Sequence, residues 1–201
     1  MPLDYLTGGG IILLLLAIFI IISIFLGVRI VPQSQKYVVE RFGRLRAVLG
    51  PGINLIVPFI DTVAHKVSIL ERQLPNQRQD AITTDNVLLQ VETSVFYRIM
   101  EPEKTVYRIR DVDAAILTTV AGIVRSEIGT MELDEVLFQR DSINSRLLTV
   151  IDAATEPWGV KVNRIEIKDL TPPQTVMQAM ESQMKAVREK RAAIATSEGD
   201  R

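Results

Sequence analysis

No charged residue interrupts the chain from Tyr5 to Val28, and from Ile11 onward the text IILLLLAIFIIISIFLGV is broken only by Ser23 and Gly27. In a helix rising 1.5 Å per residue, about 20 such residues cross the hydrocarbon core of a bilayer. A core helix of a globular domain would show a polar stripe over a run of this length. A cleaved signal peptide would carry Lys or Arg ahead of the run and a small-x-small site behind it, whereas here Asp4 precedes it and Gly27, Val28 and Arg29 follow. The run therefore predicts a retained single-pass anchor over residues 1–28. Arg29, Lys36, Arg41, Arg44 and Arg46 stand against Glu40 just behind it, with Asp4 and the amino terminus in front. Because Lys and Arg stay on the cytoplasmic side, the expected topology is N-terminus out and residues 30–201 in the cytoplasm.

Beyond the run the charges balance, with 23 basic and 23 acidic residues once Asp4 is set aside. A nucleic-acid partner is not expected, since such proteins carry excess Lys and Arg to replace phosphate counterions. The chain has no cysteine and a single histidine. Disulfides, zinc-thiolate and iron–sulfur sites, cysteine nucleophiles and His–His metal pairs are thereby excluded.

Alternation and turn residues mark the next segment as strand-rich. Tyr37, Val38, Val39 and Phe42 suggest a strand over 35–42, Gly43 a turn, and residues 44–49 a return strand before Gly50-Pro51-Gly52. The stretch INLIVPFI, residues 53–60, is too short to span, and Pro58 suits no central strand. Two readings stand: a buried edge strand, or a loop in the bilayer through Ile53, Leu55, Ile56, Val57, Phe59 and Ile60. Residues 63–70 and 74–83 look extended. Val87, Leu89, Val91, Val95 and Ile99 share one strand parity with polar residues on the other, as in an antiparallel sheet wet on one face.

After Pro102 the period becomes helical through Val112, Ile116, Val120, Val124 and Ile128, with Gly129 placed as a cap. A short helix through Leu133, Val136 and Leu137 and another from Ile143 to Ala154 follow. Residues 160–167 read as a strand with one bulge, because the apolar parity slips. Thr171-Pro172-Pro173-Gln174 then predicts a helix start with Thr171 as cap. Met177, Met180, Met184, Val187 and Ile194 follow at heptad-like spacing. This helix either packs on its own domain or forms an oligomer interface through those five side chains.

The segments VPQSQKYVVERFGR (31–44), GPGINLIVPFID (50–61), MELDEVLFQRDSINSRLL (131–148) and WGVKVNRIEIKDLTPP (158–173), with the apolar start and charged final helix, resemble the stomatin, prohibitin, flotillin and HflK/C (SPFH, band 7) superfamily. Within it the resemblance is strongest to bacterial stomatin-like proteins of the QmcA and paraslipin type. It implies an α/β (α+β) fold: an anchor over 1–28, a domain over 29–171 with mostly antiparallel sheet, and the start of a coiled-coil helix over 172–201. The domain is expected to be strand-rich over 29–100, helical over 103–156 and closed by a strand over 158–170. Residence in the bacterial inner membrane and assembly with copies of itself into large rings or cages around a membrane patch are also implied. So are lipid contact and partners among membrane proteases or NfeD-like membrane proteins. Family members carry a longer alanine- and glutamate-rich helix than the residues up to Arg201 provide, so the chain is expected to represent part of a longer protein.

Catalytic constellations are scarce. His65 lies in an extended segment without a second histidine, no Gly-x-Ser-x-Gly elbow occurs, and no Ser-x-x-Lys pair sits where a nucleophile would be exposed. Gly8-Gly9-Gly10 lacks the Gly-Lys-Ser/Thr of a phosphate loop, and the carboxylates Glu132, Asp134 and Glu135 read as a solvated helix face. The sequence predicts a scaffold without cofactor, metal site or enzymatic activity, which organises membrane and recruits or restrains proteins such as proteases. The alternative is a membrane-bound serine hydrolase whose site carries no recognisable motif.

Overall fold

The structure, a computed structural model, describes residues 8–199, though not the side chains at 8, 9, 11, 180, 181, 183, 187 and 191–199. Helix α1 (Gly8–Gly27) leads into strands β1 (Val28–Val31), β2 (Gln35–Arg41), β3 (Arg44–Leu49), β4 (Gly52–Leu55), β5 (Asp61–Ser68), β6 (Arg72–Gln73), β7 (Gln77–Ile82) and β8 (Leu88–Ile99). Helices α2 (Pro102–Arg108), α3 (Val112–Ile128), α4 (Leu133–Phe138) and α5 (Arg140–Thr155) follow, then a 3-10 turn (Glu156–Trp158), strand β9 (Val160–Thr171) and helix α6 (Gln174–Gly199). This is a mixed α/β chain, and its registered strand pairs are antiparallel.

In space the chain forms two compact units that interleave along the sequence. The first comprises Met1–Arg72, Arg98–Val112 and Thr155–Lys161, and the second Gln73–Tyr97, Asp113–Ala154 and Val162–Arg201. Linear division at residues 29, 103 and 158 misses this, because segments distant in sequence return to complete each unit.

In the first unit β2 is the middle strand of a sheet ordered β3-β2-β5, and β1 pairs with β4 in a separate two-stranded ribbon. Val38 and Val39 of β2 are fully buried, next to register shifts in both of its pairings. Such bulges let successive residues face inward where strict alternation would expose one of them. Gly159 closes this unit. With φ +73 its carbonyl accepts the N–H groups of Met100 and Glu101 at 2.9 and 3.0 Å.

In the second unit β8 pairs with β6, β7 and β9, and its inward row includes Leu89, Val91, Thr93, Val95 and Tyr97. Helices α3 and α5 bury Ile116, Val120, Val124 and Ile128, and Ile143, Leu147 and Ile151, one residue per turn. Polar side chains of α5 satisfy β9: Asp152 Oδ1 accepts from Val162 N–H at 3.1 Å and Asn144 Oδ1 from Ile167 N–H at 3.2 Å. Buried positions along β9 slip parity twice, between Val162 and Ile165 and between Ile167 and Leu170. The expected cap at Thr171 is not formed. That residue ends β9, its hydroxyl donates to Asp169 Oδ2 at 3.1 Å, and α6 starts at Gln174. At the start of α4, Glu132 precedes the helix and Asp85 Oδ1, from the turn after β7, accepts the Leu133 N–H at 3.2 Å.

A Cβ at position 159 would lie 2.4 Å from Glu101 O and 2.9 Å from the Cβ atoms of Glu101 and Lys104. Gly159→Ala combines that clash with a left-handed backbone and is expected to cost roughly 2 kcal/mol or more. Chemical denaturation against wild type measures it, and a loss below about 0.5 kcal/mol would show that the turn relaxes freely.

Candidate membrane-facing site

The apolar segment after β4 is held on the end of α1 by a backbone contact that only glycine permits. Gly27 O accepts the Ile56 N–H at 2.8 Å, and a Cβ on Gly27 would stand 2.5 Å from Ile56 O. Beyond this point the chain turns along the helix. The Phe59 ring stacks on Phe19 with centroids 6.5 Å apart and planes 9° from parallel. Phe19 precedes Gly27 by about two turns, or about 12 Å of axis, so residues 56–59 follow α1 back from its carboxyl end.

Asp61 closes this loop. Its Oδ2 accepts the Val57 N–H at 2.9 Å while its own N–H donates to Val57 O at 2.9 Å. Arg41 grips both carboxylate oxygens, at 2.7 and 3.1 Å. These donors, Arg41 first and the Val57 amide second, hold the Asp61 carboxyl down at about 2. Within the closed loop Phe59 adopts a left-handed φ of +69, uncommon for a bulky residue, and presents its ring at 77% exposure.

Strand pairing extends the apolar surface. Val28 lies opposite Leu55 and Ile30 opposite Ile53, so these four side chains share one face of the ribbon. All four are exposed, Ile53 at 80%. Phe42 adds another: it sits with φ +50 in the turn between β2 and β3, at 84% exposure. Arg41 pairs with Asp61 in the sheet register, which places Phe42 at the same sheet end as the 57–60 loop. From sequence Phe42 reads as a strand residue and Val28 as the end of the apolar run, whereas the structure puts Phe42 in a turn and Val28 with Ile30 on β1. The alternation directly after the apolar run was the available signal for the latter pair.

The expected lipid contacts thus divide. Ile53, Leu55, Val57, Phe59 and Ile60 are exposed, but Ile56 is not. It is 6% exposed and tied to Gly27, so it belongs to the core of the first unit. Of the buried-edge-strand reading only the strand holds: residues 52–55 form β4 with Ile53 and Leu55 exposed rather than buried, and Pro58 falls outside it, where no ladder bond is required. Leu13 to Leu26 along α1 include many exposed large apolar side chains. Among the described residues no helix is long and apolar enough to cross a membrane. In α1 the described side chains are those of residue 10 and residues 12–27, within a 20-residue backbone helix.

On α6, Met177 and Met184 are exposed and two turns apart. The side chains of Met180, Val187 and Ile194 lie outside the described residues. His65 in β5 meets the Tyr107 ring edge-on at 6.3 Å, and the Tyr107 hydroxyl donates to Glu40 at 2.6 Å. Among the described residues no group of three metal-ligating side chains converges, and the Ser182 hydroxyl donates along α6 to Gln178 O at 2.9 Å.

The pattern of the SPFH domain / Band 7 family matches residues 29–201, and the chain belongs to that family. An uncharacterized protein of Methanocaldococcus jannaschii is 41% identical over 187 residues, covering 93% of this chain and 92% of the relative. Stomatin-like protein 2, mitochondrial, of Homo sapiens is 38% identical over 171 residues, covering 85% of this chain and 48% of its own length. An uncharacterized protein of Schizosaccharomyces pombe is 42% identical over 174 residues, with 87% and 49% covered. The chain thus spans nearly all of the archaeal relative and about half of the other two.

Two outcomes follow from the geometry. Gly27→Ala must push Ile56 O away, and chymotrypsin should then cut after Leu55 or Phe59 several-fold faster in detergent-solubilised protein; an unchanged rate would show the close approach is dispensable. Asp61 titrates below its ordinary value of 3.8 in the folded state, so its contribution is complete above about pH 4 and is lost as pH falls toward 2. The melting temperature of Asp61→Asn should therefore lie below wild type at pH 7 and converge with it only as pH falls through about 2. A gap independent of pH would contradict the ion pair.

Proposed function

We propose that the chain is a membrane-anchored scaffold that works by assembly. It forms large ring- or cage-like homo-oligomers that organise a membrane patch and recruit or regulate membrane proteins, proteases or NfeD-like proteins among them. The observation that carries this reading is the joined apolar surface of α1, the β1–β4 ribbon and the 57–60 loop. Solvent-exposed apolar area on this scale costs about 25 cal/mol per Å² in water, and a bilayer relieves it. Over its 20 residues α1 would extend about 30 Å, a hydrocarbon thickness. The basic residues behind it favour an N-out anchor with the domain in the cytoplasm.

Assembly is supported by α6, on which Met177 and Met184 stand exposed on one stripe. A neighbouring copy would cover them, and methionine accommodates variable packing between copies. The name of the human relative places it in mitochondria, and family membership supports the scaffold role.

Electron microscopy of protein extracted in mild detergent should show large, uniform particles. Met177→Glu with Met184→Glu should reduce them to small oligomers without loss of circular dichroism, since like charges would enter a desolvated seam. Wild-type protein that is monomeric contradicts the scaffold, and a variant of unchanged size contradicts the α6 interface.

A further inference from the structure

A cavity of about 730 Å³ opens where β1 leaves α1, lined among others by Arg29, Ile30, Tyr37, Phe59, Asp61 and Lys66. Its size suits a small organic group, and its walls are of two kinds. Ile30 and Phe59 are apolar and belong to the exposed surface described above. Arg29 and Lys66 are cations. Lys66 is opposite Tyr37 in the β2–β5 register, and its ammonium stands 5.2 Å from the centre of that ring, an arrangement that restrains a long side chain. The acid in the lining, Asp61, is already answered by Arg41 and the Val57 amide. Among the described residues neither Arg29 nor Lys66 is in ion-pair contact with a carboxylate.

We infer that this cavity binds the phosphodiester headgroup of an anionic phospholipid. Two cations with no carboxylate paired to them among the described residues line one cavity, and a phosphodiester supplies the missing anion. Arg29 is the second residue after the end of α1, the level at which headgroups sit if α1 is an anchor. The acyl chains then lie along the exposed apolar side chains of α1, with Phe59 and Ile30 at the boundary. A soluble phosphate ester would satisfy the cations but gain nothing from that apolar rim. The inference rests on the membrane reading above.

The test uses the full chain reconstituted in vesicles of phosphatidylglycerol and phosphatidylcholine in equal parts and then taken into detergent, with bound lipid counted by native mass spectrometry. Phosphatidylglycerol should be retained over phosphatidylcholine by about tenfold, near the effect of one or two interfacial cations. Arg29→Gln with Lys66→Gln should bring the ratio close to one. Arg29→Lys with Lys66→Arg should keep it, and so should Arg44→Gln with Arg46→Gln, which removes basic charge outside the cavity. A preference that survives in the glutamine pair, or is lost in the Arg44 and Arg46 variant, overturns the site. Glycerol 3-phosphate that displaces the lipid at equal concentration overturns the lipid as its source. Failure to enter vesicles at all would refute the membrane reading, whereas entry without preference refutes only the headgroup site.

Discussion

The close approach of Gly27 to Ile56 decides how the first unit presents itself. With one side chain more on residue 27, the end of α1 and the strand leaving β4 could not share a hydrogen bond, and the 57–60 loop would have no fixed direction. With glycine there, the helix end supplies an acceptor that would otherwise lack a partner. Phe59 is carried back along α1 to Phe19. A single backbone contact thus turns two apolar segments, separated by four strands in sequence, into one surface.

The polar groups around that surface are arranged to hold it without neutralising it. Arg41 and Asp61 satisfy each other across β2 and β5, and the same carboxylate caps the loop that exposes Phe59. The left-handed backbone at Phe59 carries a steric cost, which the two hydrogen bonds between Val57 and Asp61 offset. An apolar ring held outward in this way is expensive in water and useful in lipid. Family membership and the apolar surface point the same way, although they are independent observations.

Much of the secondary structure was legible because burial follows period. Ile116 to Ile128 at helical spacing gave α3, and the alternation from Val87 to Ile99 gave β8 within a residue at its start. Errors fell where long-range contacts override local signals. Thr171-Pro172-Pro173 has every mark of a helix start, yet pairing in β9 keeps Thr171 extended. Asp85 caps α4 from a distant turn, which no local window reveals. The site was partly legible: the apolar text 53–60 stood out, but its burial did not. Ile53 stands on the exposed ribbon face opposite Ile30, whereas Ile56 lies past β4, buried where its backbone meets Gly27. The placement of Val28, Ile30 and Phe42 is not legible in hydropathy, because it follows from ribbon pairing and from a tight turn.

The central claim is that the 57–60 loop lies in lipid beside α1. The chain has no cysteine, so a single Phe59→Cys carrying an environment-sensitive fluorophore reports one position only. In phosphatidylcholine vesicles, spin labels midway along the acyl chains should quench it strongly and aqueous iodide should quench it weakly. Efficient quenching by iodide, matching that of a label at Ser182, would place the loop in water and contradict the account.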